Sequence, residues 1–328
     1  MLTRRSMLAA TATALAGSSG MATRASAQFL NKHAKVVIGF PAGGGTDVIG
    51  RIIADKLQGT YAATAIVENK PGAASRLSVD YVKTGDRDGS MMLFTPDFPL
   101  TIYPHSFKKL SYDPERDLTA IAPMTRSLLT FNVGPAVPDS VKSVKDFLDW
   151  CKANPEKATY GTTSAGGTPH FMGVMLATES GVKITPVHYR GDAPAVQDMI
   201  GGHIPACITP VASAVPQMKS PLFRVLAVTS NKRAKFLPDI PTLREQGYNI
   251  GHDSWVGIFG PPNMDPAAVK ALSEALRTIS ASPEYAERMA QLANEPMWES
   301  PQDFAVRLKA DIARWAPVVK ASGFVAED

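Results

Sequence analysis

The chain has 328 residues, 45% apolar and 20% charged, the composition of a globular protein with a real core; at roughly 100–200 residues per domain the length suits two domains. Two cysteines exclude a disulfide scaffold and a cysteine-based zinc site, and no apolar run approaches the about 20 residues of a membrane-spanning helix. The formal net charge of +4 is slight, and the densest basic run, Asn231-Lys232-Arg233-Ala234-Lys235, reads as a solvated loop, so no nucleic-acid footprint is expected.

Residues 1–27 read as an export signal. Arg4 and Arg5 precede the small apolar run Met7–Leu15, and Ala25-Ser26-Ala27 has the small-x-small form of a cleavage site. The run Thr3-Arg4-Arg5-Ser6-Met7-Leu8 fits the twin-arginine pattern, although paired arginines also suit the general route. Cleavage near Ala27 removes Arg4, Arg5 and Arg24 and leaves a nearly neutral mature chain. Export implies an oxidising compartment, the periplasm. Cys151 and Cys207 lie in no shared motif and read as two separate buried thiols.

Lys35–Phe40 reads as a buried strand, Pro41–Gly45 as a turn, and Val48, Ile49, Ile52, Ile53 and Leu57 as the apolar face of a helix. Strands follow at 65–68 and 91–94, with a helix over 77–82 between them. The middle of the chain repeats the style. Strands are predicted at 128–133, 159–161, 184–187, 206–208 and 225–228, and helices at 144–153, 169–180 and 193–200. The tail is helical, with starts at Asp265-Pro266, Ser282-Pro283 and Ser300-Pro301. Alternating strands and helices imply an α/β fold with largely parallel sheets, whose ligands bind at the carboxyl ends of the strands.

The loops at those ends carry the candidate site. Phe40, Ala42, Gly43, Gly44 and Thr46 lie in a glycine turn before a helix, where main-chain amides and the helix dipole favour an anion. The pattern is neither a dinucleotide fingerprint nor a P-loop: Val48 stands at the third glycine, and Arg51-Ile52 where Lys-Ser/Thr is required. Thr162, Ser164, Ala165, Gly166 and Thr168 repeat the design in the second block. Asp47 is read as a first-turn cap or a ligand contact, His170 as a packed residue or a ligand contact, and Tyr189 as a cleft wall. Asp97, Thr95 and Thr209 end strands and face the same way. Ser164 sits in a T-x-S-x-G run one residue type from a nucleophile elbow, so an exported hydrolase is the enzymatic alternative, but nothing fixes His170 or His188 against it. The six histidines are scattered, and no metal or other cofactor is expected.

At these loops the chain resembles the periplasmic solute receptors of tripartite tricarboxylate transporters, the Bug receptors. The resemblance runs in order through Phe40–Asp47, Val67–Gly72, Tyr112–Pro114, Lys152–Pro155, Val187–Gly191 with Ala193–Ala195, Leu226–Thr229, Leu237–Thr242, Ser254–Gly257 and Arg314-Trp315. It implies a two-lobed type II periplasmic-binding-protein fold with a ligand cleft between the lobes. Residues 28–128 and 229–328 would form one lobe and 129–228 the other, with crossing strands near Leu128–Val133 and Val225–Thr229. It also implies a monomer that grips a small organic acid by the carboxylate and is read by a membrane permease, or, in a same-fold alternative, by a sensor. No catalysis is expected. The chain departs from the family at Ser75-Arg76-Leu77-Ser78, at Arg87, and at Thr209, where an acid able to pair with a ligand amine is common.

Overall fold

The computed structural model describes residues 29–163, 165–189 and 191–326. The expected export signal, Ser164 and Arg190 therefore lie outside the described residues.

Strand β1 (Leu30–Ile38) alternates its side chains between two cores. Val36 and Ile38 point to one face, where Ile53, Leu57, Phe94, Leu272 and Leu276 pack. Val37 points to the other, against Val79, Leu93, Trp255 and Phe304. This period of two buries both faces of the strand, which is why it reads as a continuous apolar run. Helix α1 (Gly45–Leu57) returns the chain to β2 (Ala62–Asn69), and α2 (Arg76–Lys83) leads to β3 (Met91–Pro96). β1 pairs in parallel with both β2 and β3.

The first sheet has the order β11-β4-β10-β3-β1-β2, with β4 (Thr119–Ser127), β10 (Ser254–Gly260) and β11 (Glu295–Pro296) antiparallel. The second has the order β7-β6-β8-β5-β9. There β6 (Thr159–Thr162) is parallel to β7 (Thr185–His188) and β8 (Ala206–Pro210), and β5 (Leu129–Val133) is antiparallel to β8 and β9 (Arg224–Val228). Both sheets are thus mixed, not largely parallel. Each antiparallel pairing involves a strand next to one of the two places where the chain changes sheet: Leu128, between β4 and β5, and residues 229–253, between β9 and β10. The strands expected to cross, β5 and β9, lie wholly in the second sheet.

Helix α3 (Val144–Ala153) has the predicted bounds because its signals are local: Ser143 and Asp146 form a reciprocal capping box. Helices α4 (Thr168–Ser180) and α5 (Asp192–Ile200) cover the second sheet, and α6 (Pro266–Ser280) and α7 (Pro283–Gln291) the first. Helix α8 (Pro301–Ser322) serves both. Its Phe304 and Leu308 sit in the core around Leu93 and Trp255, while its Trp315 and Val319 sit in the core around Phe131, Phe147 and Phe171.

Candidate functional site

The turn after β1 is built by a carboxylate. Asp47, in the first turn of α1, is buried, and its Oδ2 accepts from the Gly43 amide (2.8 Å) and from Arg51 Nε (2.8 Å). Its Oδ1 accepts from Arg51 Nη2 (3.0 Å) and Asn69 Nδ2 (2.9 Å), and the same Asn69 nitrogen donates to the Phe40 carbonyl (3.0 Å). The Arg51 guanidinium, aided by these amides, holds the carboxyl down at about 2. Gly43 has φ +86, a left-handed conformation that lets its amide turn inward. Asp47 thus braces the loop, with both carboxylate oxygens engaged inside it. Ala42, Gly43, Gly44 and Gly45 are exposed, Thr46 and Phe40 half-buried, and the Phe40 ring packs edge-on against Phe98 at 6.2 Å.

The turn after β6 has the same plan. Thr162 is buried, Ala165 exposed, and Gly166 adopts φ +73. The Gly166 amide donates to His170 Nδ1 (3.2 Å). His170 is buried among Phe171, His188 and Phe324, with ring centroids 4.8, 4.8 and 4.9 Å away. Burial first, and then His188, pushes its imidazole down to about 4. The structure thus packs His170 within an aromatic enclosure. A neutral ring with a backbone amide on Nδ1 and covered faces is not placed as a general base.

The helices behind these turns start without a side-chain cap. α1, α4 and α5 start on Gly44, Gly167 and Gly191, and among the described residues no side chain caps any of them; α2, which follows Ser75, is uncapped too. α3, α6, α7 and α8 are each capped by a side chain, from Ser143, Asp265, Ser282 and Ser300. The first amides of an α-helix have no intrahelical acceptor; in α1 the Val48 amide is the one that reaches the Gly44 carbonyl. The capped helices satisfy such amides internally, whereas the glycine-started ones leave theirs for water or an anion.

The remaining candidates are placed as follows. Asp97 is fully buried, with Oδ2 accepting from His252 Nε2 (2.6 Å) and Ser254 Oγ (2.9 Å) and Oδ1 facing Thr168 Oγ1 (3.4 Å). It does not face an open cleft, as the sequence suggested. Thr95 is buried within β3, its hydroxyl 3.2 Å from the Pro96 carbonyl. Thr209 is buried within β8 and accepts from Asn132 Nδ2 (3.0 Å). Tyr189 packs against the Val196–Met199–Ile204–Cys207 cluster. Its hydroxyl donates to Asp198 Oδ2 (2.8 Å), and burial, then Asp198, pushes it up to about 12. Its ring and hydroxyl are thus engaged within the second lobe. A packed strand end looks the same in sequence as a ligand-facing one, which is why Asp97, Tyr189 and Thr209 were read outward.

Sequence reasoning passed over Arg51, Asn69, Asp192 and His252. Asp192 lies in the first turn of α5 and accepts from Ser213 Oγ (2.8 Å). Burial raises its pKa, against the hydroxyls of Ser213 and Thr163. An acid straight after Gly191 and before Ala193-Pro194 was the available signal. The Cys151 and Cys207 thiols are free and buried, one on α3 and one on β8, each pushed up to about 12 by burial. Among the described residues there is no metal-holding cluster, and no helix is long and apolar enough to cross a membrane.

The chain is 32% identical over 299 residues to a UPF0065 protein in the gbd 5′ region of Cupriavidus necator, covering 90% of this chain and 89% of that one. An R. palustris protein solved with adipate superposes with a TM-score of 0.79 at 27% identity, covering 90% of this chain and 98% of that one. The periplasmic binding protein BugD superposes at 0.75 and 27% identity, covering 90% and 99%. The two-lobed fold is thus that of periplasmic solute receptors, which are not enzymes. The model of the tripartite tricarboxylate transporter family receptor matches residues 49–324, and the chain belongs to that family.

Proposed function

We propose that this receptor captures a small organic acid in the periplasm by clamping its carboxylate between the Phe40–Thr46 and Thr162–Thr168 turns, and delivers it to a membrane permease. The observation that carries this reading is the pair of glycine-started, side-chain-uncapped helices, α1 and α4, one behind each turn. Adipate in the R. palustris relative supports the ligand class. Gly44 and Ala165 supply exposed backbone, and Thr46 half-buried backbone. Each charge-assisted hydrogen bond contributes roughly 1.5–3 kcal/mol net. Three or four of them support micromolar binding, about −8 kcal/mol, after ordering costs.

Residues 28–128 with 229–328, and residues 129–228, act as the two closing bodies, with Leu128 and residues 229–253 as the joints. Donors on both bodies make the ligand bind the closed form better than the open one, and that difference moves the equilibrium. The export signal delivers the chain to the periplasm as a monomer. No covalent step is needed. The hydrolase alternative is not favoured, since His170, with its Nδ1 occupied and its ring covered, is not available as a base.

Isothermal titration with adipate and a panel of mono- and dicarboxylates tests the reading. Gly44 has φ −73 and room for a Cβ, the nearest atom being the Pro41 carbonyl oxygen at 3.6 Å. Gly44→Ala should therefore fold and bind. Gly44→Trp should fold, with an unchanged melting temperature, and lose at least roughly 100-fold in affinity as its ring covers the amides. Unchanged affinity in Gly44→Trp would remove the clamp.

A further inference from the structure

The second turn is held by more than its own lobe. Asp97, at the end of β3 in the first sheet, is fixed by His252 from the crossing segment and by Ser254 at the start of β10. Its free oxygen reaches Thr168, the first residue of α4 in the other lobe, at 3.4 Å. A buried carboxylate there also meets the partial positive charge of the α4 N-terminus. The C-terminal tail reaches the same place from the opposite direction. Gly323 (φ +66) reverses the chain after α8. The Phe324 ring then lies 4.9 Å from His170 and 5.8 Å from Phe171, and a Cβ added at Gly166 would sit 3.1 Å from its Cε1. Two residues on, the Ala326 amide donates to the Ser106 carbonyl of the first lobe (2.8 Å).

We propose that Asp97 and Phe324 are positioning residues: from the first lobe and from the tail they fix the Gly166–Thr168 root of the second turn, and so set half of the carboxylate clamp before any ligand arrives. The proposal deepens the receptor reading above and rests on it for its functional meaning. Its physical content is separate, because it concerns the ligand-free protein. Asp97 and its partners account for Thr168, and Phe324 accounts for Gly166 and His170. Neither residue reaches the ligand; each acts through the turn.

Hydrogen exchange on ligand-free protein reads the amides of residues 165–168 directly. Thr168→Val keeps the shape and removes the hydroxyl, and Thr168→Ser restores it. Exchange at these amides should accelerate roughly tenfold in Thr168→Val and in Phe324→Ala, and stay as in the unmodified protein in Thr168→Ser. Exchange in α3, elsewhere in the same lobe, should not change, which separates positioning from general loosening. Affinity for adipate, if adipate binds, should fall by a similar factor in the first two variants. Unaltered exchange in both Thr168→Val and Phe324→Ala overturns the proposal, as does a Thr168→Ser protein that exchanges as fast as Thr168→Val. If no carboxylate binds the unmodified protein, the receptor reading fails while the exchange result still stands or falls alone.

Discussion

His170 shows how much one buried side chain determines locally. Its Nδ1 accepts the Gly166 amide, its carbonyl accepts the Tyr160 hydroxyl (2.7 Å), and its ring is enclosed by Phe171, His188 and Phe324. Because burial lowers its pKa from 6.5 to about 4, the folded protein resists a proton that the unfolded chain accepts below pH 6.5. Stability from this residue is therefore complete above pH 6.5 and is lost as the pH falls toward 4, by an amount on the order of 2–3 kcal/mol. Denaturant unfolding at intervals from pH 7 to 4 should show that slope, and His170→Phe, which keeps the ring contacts, should flatten it. An equal slope in the variant would assign the titration elsewhere. The same residue marks a limit of sequence reading. A histidine early in a glycine-started helix suits packing better than a ligand contact, and the ring that covers it, Phe324, comes from the far end of the chain, where no local pattern announces it. Asp97 is alike: its partners His252, Ser254 and Thr168 are all more than 70 positions away.

At the scale of elements, legibility followed how local the signals were. α3 and the glycine turn before α1 were read correctly because caps, apolar spacing and glycines lie within a few residues. β4 and β10 were not delineated. Their antiparallel pairing with each other and with β3 depends on the chain returning through the second sheet, which leaves no mark in periodicity. Packing of α4 on β6 is a further non-local fit, and it sets a prediction. A Cβ at Gly173 would fall 2.1 Å from Tyr160 Cζ, and Tyr160 is fully buried. Alanine favours a helix by about 1 kcal/mol over glycine, yet here overpacking dominates. Gly173→Ala should destabilise by roughly 1–3 kcal/mol in a denaturant melt. Gly45→Ala, whose Cβ meets nothing within 4 Å, should be neutral. A Gly173→Ala protein as stable as the parent would mean that α4 sits farther from β6 than described.

On the scale of the whole molecule, the two-lobed design needs both separation and coupling. The chain crosses between sheets at Leu128 and at 229–253, and these joints alone would let each lobe unfold by itself. Helix α8 opposes that, because one continuous element places Phe304 and Leu308 in one core and Trp315 and Val319 in the other. Arg314 adds a hydrogen bond from its guanidinium to the Gly251 carbonyl of the crossing segment, and the Trp315 ring lies against His252 at 5.1 Å. Melting of the second lobe therefore strips the second half of α8 and exposes the first lobe's core through the same helix. The intact protein should unfold in a single calorimetric transition. Trp315 is fully buried, and Trp315→Ala should cost roughly 3–5 kcal/mol. Because the loss falls on the second lobe and on the α8 junction together, the variant should also show two resolved transitions, the lower one belonging to residues 129–228. A variant that still melts in one transition, merely at lower temperature, would place the coupling outside Trp315, in the crossing segments or in contacts such as Asp97 to Thr168.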